Sequence, residues 1–400
     1  MSTSEMTSRE RMLAAMTGAA HDRVPFSPYV GQGSVGVWKD LFLWQDQITR
    51  TECLLAYEMD PTIDIWLPDP QPHPDVTIRT WRDTSGPEPV ATKEYHTPAG
   101  VLRQTVRETG DWCSWRHGPW QPTTFGVEKR PGYGVDLFDD WAVSRRTEPW
   151  VKGQEDLEKL RYVVRPPEGH ALDEWRMDVQ RAVEIAGRYQ VATVARRTIV
   201  GDAYQWFCDI PTFLMMLNDD PEFVEAFFSI FQEWSLDLTR LALEADVDVV
   251  QRRGWYETPT MMGIEGFRRF LVPLIEEESV LVHQAGKIHS YLLAEGYGAY
   301  AEILSELQAD VLQGVDPRML NGGDLRSLFD HCGSNHAFWG GVNAEVTLTS
   351  GKPDEIDTAV RQAIECLNAN NRFILSAFLF PDIPQEGIRQ MIESWKRYRR

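Results

Sequence analysis

Two predicted strands end in side chains that could do chemistry. The apolar run 247–250 leads into a polar segment that contains Glu257, and the apolar run 280–282 leads directly into His283. A histidine can transfer protons or bind a metal near neutral pH, and a glutamate can act as an acid or as a metal ligand. Parallel strands of a barrel bring their C-terminal ends to the active site. We therefore expect His283 and Glu257 to stand together in a cleft as catalytic groups.

Further polar and aromatic groups follow the other predicted strands. Successive residues of a strand point in opposite directions, so we expect no more than one arginine of each pair, 196–197 and 252–253, to face the barrel axis. An inward arginine could hold a carboxylate or a phosphate through two hydrogen bonds. Aromatic side chains could form a wall against a flat substrate, although core packing would also explain them. The candidate substrate-binding residues are Tyr29, Arg196, Arg253, Trp255, Tyr256, Gln313 and Asn343.

The two catalytic candidates also raise the question of a zinc site. Zinc in a catalytic site takes three protein ligands and keeps one position open. His283 and Glu257 would supply two ligands, and a further carboxylate such as Glu345 would have to supply the third. His331 and Cys332 are adjacent, but they precede a predicted strand and so belong to the opposite face of a barrel. We predict that these two residues end a helix and bind no metal.

The elements that must position these groups alternate along the chain. Eight apolar runs separated by helical patterns predict parallel βαβ units and a single-domain (β/α)8 TIM barrel over residues 1–400. An open doubly wound sheet is the alternative, but no GxGxxG segment follows the first strand. The predicted strands are 24–30, 63–67, 191–195, 247–250, 280–282, 310–316, 337–343 and 372–378.

Residues 76–146 interrupt the alternation after the second strand. This stretch is rich in Thr, Trp, Arg, Gly and Pro, and parts of it alternate with the period of two that is typical of half-exposed strands. We expect an antiparallel β insertion here. Its tip, residues 112–120, is aromatic and cationic, so the insertion is either a packed hairpin or a lid. We predict that it closes over the C-terminal mouth of the barrel.

Composition excludes several classes of partner. The formal net charge is -20, which opposes binding to nucleic-acid phosphates or to an anionic membrane surface. No apolar run is long enough to cross a membrane, and the N-terminus lacks an apolar signal segment. The 5 cysteines are scattered, as is typical of free thiols in a reducing compartment. We therefore expect a cytoplasmic protein. The sequence does not determine the oligomeric state, and a homodimer is compatible with it.

Several stretches together resemble the uroporphyrinogen decarboxylase superfamily. Each stretch alone is a weak signal, but their order and spacing extend over nearly the whole chain. The resemblance implies a (β/α)8 barrel with a deep cleft at its C-terminal face. The stretches are 8–16 leading to 22–25, then 156–160, 267–273, 282–286, 340–343 and 380–386.

The chain departs from the two best-known patterns of that superfamily. The decarboxylases carry an arginine-rich stretch after the first strand for the carboxylates of a tetrapyrrole, whereas residues 29–34 contain no cation here. They also carry a histidine after the last strand, where residues 377–380 contain none. The thiol-activating methyltransferases resemble His-x-Cys-Gly at strand five and bind zinc. His283 would match the histidine, but Ala285 stands in place of the cysteine.

These departures favour a methyltransferase that is not of the thiol-activating type. It would move a methyl group between an O-methyl or N-methyl small molecule and either a corrinoid on a partner protein or a tetrahydrofolate-type carrier. Positioning and proton delivery to the leaving atom would dominate such a reaction. One alternative is a decarboxylase of a small or tetrapyrrole-like acid. Another is a non-catalytic barrel that binds a ligand or docks a corrinoid protein.

Overall fold

A computed structural model describes residues 5–30, 38, 41–42, 44–109, 120–123, 126–129 and 135–400 of the chain. The strands are β1 (Tyr29–Val30), β2 (Thr62–Trp66), β3 (Thr77–Asp83), β4 (Val90–Thr97), β5 (Gly100–Arg107), β6 (Trp120–Thr123), β7 (Gly126–Lys129), β8 (Arg146–Glu148), β9 (Ala192–Ile199), β10 (Val249–Gly254), β11 (Ile288–Leu293), β12 (Val311–Val315), β13 (Ala337–Gly341), β14 (Phe373–Ser376) and β15 (Phe378–Leu379).

Helices fill most of the chain between these strands. The α-helices are α1 (Ser8–Thr17), α2 (Gln47–Ala56), α3 (Asp140–Val143), α4 (Glu155–Arg161), α5 (Gly169–Tyr189), α6 (Ala203–Phe207), α7 (Ile210–Asp219), α8 (Pro221–Glu244), α9 (Pro259–Gly266), α10 (Val272–Gln284), α11 (Ala301–Leu304), α12 (Leu325–Cys332), α13 (Pro353–Leu367) and α14 (Gln385–Tyr398). Phe267–Leu271 and Ala344–Leu348 are single π-helical turns. Across the described part of the chain, no helix has the length and apolarity needed to span a bilayer.

Seven strands form one parallel sheet in the order β14-β13-β12-β11-β10-β9-β2. At the β14 end, Phe26 bridges Leu375 in parallel and β1 pairs with β15. At the other end, the Asp60 N–H, just before β2, donates to the Phe26 carbonyl over 2.7 Å. The protein is thus a mixed α/β structure whose curved parallel sheet is consistent with a TIM-barrel-like fold.

The N-terminal helix α1 covers one end of the sheet's inner surface. Thr7 and Glu10 form the capping box that their spacing predicts, and this fixes where α1 begins. Three of its side chains then pack against residues at the N-terminal ends of the strands. This small cluster contains Met12, Ala15, Met16, Ala192, Val194, Val249, Val311, Ala337, Trp339 and Ile374. Because side chains alternate along a strand, the cluster identifies which strand positions point inward.

The predicted strand 280–282 is wrong, because α10 runs through it and the strand is β11, which begins six residues later. The run was too short to decide between a strand and a buried helical segment. In the structure, Val282 is buried but Val280 is 41% exposed, which is the pattern of a helix with one packed face. The predicted strand 247–250 also differs from the observed one, because β10 begins at Val249 and extends to Gly254.

Residues between β2 and α4 form a separate antiparallel sheet in the order β3-β4-β5-β8. It contacts the segment that follows β9. The Gln104 side chain donates to the Trp206 carbonyl over 3.3 Å, and the Arg146 guanidinium donates to the same carbonyl over 2.8 Å. The predicted tip 112–120 falls outside the part of the chain whose side chains are described. Closure of this sheet over the mouth therefore stays a prediction.

Candidate active site

The inner surface of the sheet is apolar beside α1 and becomes polar toward the C-terminal ends of the strands. The alternation that points Val194 inward also points Arg196 inward, two residues nearer the C-terminal end of β9. In the same way Val249 is followed by Gln251 and Val311 by Gln313. The side chains of Gln251 and Gln313 hydrogen-bond to each other across the inner surface. Polar groups therefore begin in the middle layer and lead toward the C-terminal mouth.

Arg196 lies in a buried charge cluster with Asp64 of β2 and Arg50 of α2. Arg196 Nε is 2.7 Å from Asp64 Oδ1, and Arg50 Nη2 is 3.2 Å from Asp64 Oδ2. Burial by itself would raise the pKa of Asp64, but the charges of Arg196 and Arg50 outweigh it and hold that pKa below its ordinary value. The carboxylate is therefore ionised, and it fixes both guanidinium groups beside a pocket.

That pocket is a small cleft between β1 and β2. It is lined by the three charged residues and by the aromatic rings of Tyr29 and Trp66. The Arg196 guanidinium carbon lies 5.6 Å from the centre of the Tyr29 ring, within cation–π range. The lining residues are Pro28, Tyr29, Val30, Arg50, Leu54, Pro61, Thr62, Asp64, Trp66 and Arg196.

Tyr29 also belongs to a cluster of four aromatic rings at the mouth, which we call the aromatic wall: Tyr29, Trp255, Phe378 and Phe380. The Tyr29 and Phe378 ring centres are 5.2 Å apart, and those of Trp255 and Phe378 are 5.1 Å apart. All four residues are partly exposed. The ring centres of Tyr29 and Trp255 are 6.4 Å apart. Such a surface can stack against a flat ligand.

Tyr256 does not join this wall. Its ring centre lies 6.2 Å from that of Trp206 and 5.8 Å from the Arg253 guanidinium carbon. Arg253 lies 5.0 Å from the Trp206 ring centre and 5.7 Å from that of Trp255, and its Nε is 3.2 Å from the Asp202 carboxylate. Arg253 is therefore held by a carboxylate and by aromatic faces at the edge of the mouth.

A second pocket opens on the other side of Tyr29 and contains a buried carboxyl group, Asp316. Burial raises the pKa of Asp316 above its ordinary value, although a backbone N–H of Arg318 and the Asn343 amide donate to it. A carboxyl group with a raised pKa beside a ligand pocket is a candidate acid. The lining residues are Tyr29, Gln313, Gly314, Val315, Asp316, Trp339, Gly340, Val342, Ser376, Ala377 and Phe378.

Asn343 is placed beside this pocket but its side chain is already engaged. The amide nitrogen donates to Asp316 over 2.7 Å, and the amide oxygen accepts the N–H groups of Val346 and Thr347 at the start of a π-helical turn. Asn343 therefore orients Asp316 and caps that turn. Gln313 lines the pocket with Asp316, and its amide oxygen accepts from the Gln251 amide and the Ser290 hydroxyl.

Glu257 is buried outside the inner surface, so the prediction that it stands in the cleft is wrong. Its carboxylate accepts from the Gly201 N–H at 2.8 Å and the Tyr291 hydroxyl at 2.6 Å, and lies 3.3 Å from Arg252. Arg252 and Tyr291 are strand residues next to inward positions, so they point toward the helices. Glu257 fastens the loops that follow β9 and β10 to strand β11.

His283 also lies away from the mouth, contrary to its predicted position in the cleft. It is in the last turn of α10, just before β11 begins, which places it at the N-terminal face of the sheet. Its Nε2 is 2.9 Å from the Asp310 carboxylate, which precedes β12 at the same face. His283 and Glu257 are therefore at opposite ends of the sheet. Their predicted pairing as catalytic groups or zinc ligands is wrong for that reason.

Within the described part of the chain, no three His, Cys, Asp or Glu side chains are grouped so that they could hold a metal ion. His331 contacts the Ser327 carbonyl within its own helix over 2.7 Å. The Cys332 thiol is buried against the Ala301 carbonyl, and burial raises its pKa to about 12. That these two residues bind no metal remains a prediction.

The sequence analysis did not identify the site residues Arg50, Asp64, Asp316, Phe378 and Phe380. Asp316, Phe378 and Phe380 each lie at or just beyond the C-terminal end of a correctly predicted strand, so the strand-end rule would have selected them. Asp64 occupies an alternate position within β2. The sequence could have identified it, because a charged residue inside an otherwise apolar strand needs a buried partner of opposite charge.

Comparison with known proteins gives a family match and likenesses to solved structures. Residues 203–398 match the model of the family Uroporphyrinogen decarboxylase (URO-D). No curated protein sequence matches the chain. A methyltransferase from Methanosarcina mazei has a similar fold, with a TM-score of 0.58 and 14% identity over 98% of this chain and 99% of that one. D-psicose 3-epimerase from Clostridium cellulolyticum H10 aligns over 56% of this chain and 83% of its own, with 9% identity and a TM-score of 0.36.

Proposed function

Because the chain belongs to the uroporphyrinogen decarboxylase superfamily, we propose that it is a methyltransferase of that superfamily. It would move a methyl group between an O-methyl or N-methyl small molecule and a corrinoid protein or a tetrahydrofolate-type carrier. The observation that carries the proposal is the combination of the aromatic wall with the protonatable Asp316 at one mouth. The likeness to a methyltransferase along the whole chain supports it.

The proposal takes β1 as the eighth strand that closes a (β/α)8 barrel, between β15 and the start of β2. All the proposed site residues then share one C-terminal mouth. Tyr29 lines both pockets, so one ligand can contact both of them.

Apolar side chains at the rim fit a carrier that is presented over the mouth. Four large, well-exposed apolar residues lie on segments that follow the C-terminal ends of β10, β12 and β13: Met261, Ile264, Met319 and Val346. A partner protein or a large cofactor presented over the mouth would contact these side chains. A corrinoid or folate bound there would supply the nucleophile or the donor of the methyl group. No step of the proposal uses zinc, because the described residues offer no ligand set for it.

The chain's own residues would position the substrate and supply a proton. The aromatic wall would hold a flat methylated molecule so that its methyl group faces the open mouth. Protonated Asp316 would donate its proton to the oxygen or nitrogen that loses the methyl group. Asn343 and the Arg318 N–H keep the carboxyl group in one orientation for that transfer.

Methyl-transfer assays with cob(I)alamin and with tetrahydrofolate, run over a panel of O-methyl and N-methyl compounds, test this function. In an active pair, Asp316→Asn should lower turnover of an O-methyl substrate by roughly a hundredfold or more. Turnover by the native protein should fall as the pH rises through the raised pKa of Asp316, because only the protonated form donates.

Two controls sharpen this test. Asp237→Asn, at a half-exposed residue of α8, should leave turnover unchanged. A quaternary ammonium substrate should be nearly insensitive to Asp316→Asn, because its amine leaves without needing a proton. Equal losses for both kinds of substrate would remove Asp316 as the acid. Absence of methyl transfer to either acceptor across the panel would refute the proposed function.

A decarboxylase of a small acid is the second candidate, and the inward Arg196 favours it. An arginine beside a pocket could hold a carboxylate while carbon dioxide leaves. The two functions separate in one measurement. Carbon dioxide release from an acid with no methyl acceptor present would support the decarboxylase, whereas strict dependence on an acceptor would exclude it.

A further inference from the structure

We propose that the pocket between β1 and β2 is an anion site that binds the carboxylate of a small aromatic monocarboxylate. This inference rests on the proposed function for its claim that the bound acid is the methylated substrate. The anion site itself does not depend on the reaction. It is built from Arg50, Arg196 and Asp64, with Tyr29 beside them.

The charge balance of this cluster is the first observation. It contains two guanidinium groups and one carboxylate, so its net charge is +1. The side chains of Arg50, Arg196 and Asp64 are exposed by only 8%, 6% and 10%. A buried charge without a counter-charge is costly, because the low-dielectric interior does not solvate it. One added negative charge would neutralise the cluster.

The hydrogen-bonding capacity of Arg196 is the second observation. Its Nη1 is buried and has no hydrogen-bond partner among the residues that the structure describes. Its Nη2 donates to the Thr62 hydroxyl over 3.4 Å, and its Nε lies 2.7 Å from Asp64 as an ion pair that lacks hydrogen-bond geometry. Arg50 Nε is likewise buried without a described partner. Buried arginine donors are normally satisfied, so these two nitrogens call for an acceptor.

The neighbouring groups narrow the anion to a carboxylate on an aromatic ring. A carboxylate carries the single negative charge that the cluster lacks, whereas a phosphate dianion would leave an excess negative charge. Tyr29 contacts the Arg196 guanidinium and lines both this pocket and the one that contains Asp316. A flat ring attached to the carboxylate would therefore lie along the aromatic wall, with its substituents directed toward Asp316.

Binding to the purified full-length chain tests the site without any turnover. The probes are 4-methoxybenzoate and 4-methoxybenzamide, which have nearly the same shape and differ in charge, and titration calorimetry measures both dissociation constants. The native protein should bind the benzoate on the order of tenfold or more tightly than the amide, and Arg196→Gln should abolish that preference. The matched control Arg269→Gln removes an exposed arginine of the Arg269–Glu225 pair and should change neither constant.

A second variant covers the case in which Arg196→Gln does not fold. Asp64→Asn raises the net charge of the cluster and should tighten benzoate binding, so weaker or unchanged binding would count against the site. Equal affinities for benzoate and amide in the native protein would overturn the proposal, and tighter binding of phenyl phosphate would overturn the choice of carboxylate. Benzoate binding without methyl transfer to any acceptor would leave the anion site in place and remove only the proposed function.

Discussion

Replacement of Arg252 by methionine should destabilise the protein far more than the same change at the surface. Arg252 is fully buried between two fully buried carboxylates, with Nη2 at 3.3 Å from Glu257 and Nη1 at 3.2 Å from Glu278. Burial opposes its charge, but Glu257 and Glu278 together raise the pKa of Arg252 above its ordinary value. Methionine has a similar length and no charge, so Arg252→Met mainly removes the cation.

The expected loss of stability comes from the two carboxylates that Arg252→Met leaves without a cation. Two buried carboxylates would share one cavity with no positive partner, and breaking a buried ion pair in this way costs about 3–5 kcal/mol. The Tyr291 and Thr239 hydroxyls would still donate to them, which limits the loss. The entropy of unfolding is about 2.1 cal/mol/K per residue, or roughly 0.84 kcal/mol/K for 400 residues. The melting temperature should therefore fall by about 4–6 °C.

Scanning calorimetry at one scan rate measures this difference for native protein, Arg252→Met and the surface control Arg269→Met. Arg269 pairs with Glu225 at 2.9 Å but both side chains are more than half exposed, so its loss should shift the melting temperature by about 1 °C or less. The double variant Arg252→Met/Glu278→Gln should regain part of the loss, because one uncompensated charge is gone. A fall of less than about 1 °C for Arg252→Met would refute the reasoning.

Three further outcomes are expected. Gly201→Ala would put a methyl group 2.4 Å from a buried carboxylate oxygen and should cost about 1–3 kcal/mol by urea unfolding, whereas Gly187→Ala in the open space along α5 should gain up to about 1 kcal/mol. Burial would raise the pKa of Asp22, but the hydrogen bonds and charge of Arg11 lower it to about 2. Asp22→Asn should therefore lower the free energy of unfolding by about 2 kcal/mol at pH 7. That contribution is present above about pH 4 and should disappear as the pH falls through about 2. His283→Ala should retain methyl transfer within about twofold, and a hundredfold loss in the same assay would return His283 to the site.

The sequence by itself determined the alternation of strands and helices and the inward direction of several side chains. Periods of two and 3.6 record which face of an element is buried, so they identified most strands and the capping box of α1. Strand parity limited each arginine pair to one inward member. Arg196 now lines the inner pocket, and Arg252 and Arg253 do point in different directions, the first to buried carboxylates and the second to the aromatic mouth.

Tertiary structure decided which polar groups share a site. The run 280–282 has the same local pattern in a strand and in a packed helix, so only its neighbours could place His283 at the N-terminal face. Glu257 lies close to a strand end, as a catalytic group would, but Arg252 and Tyr291 bind its carboxylate behind the sheet. Tyr291 comes from a strand 34 residues from Glu257 in sequence. The register of that strand depends on the packed sheet, which local periodicity does not encode.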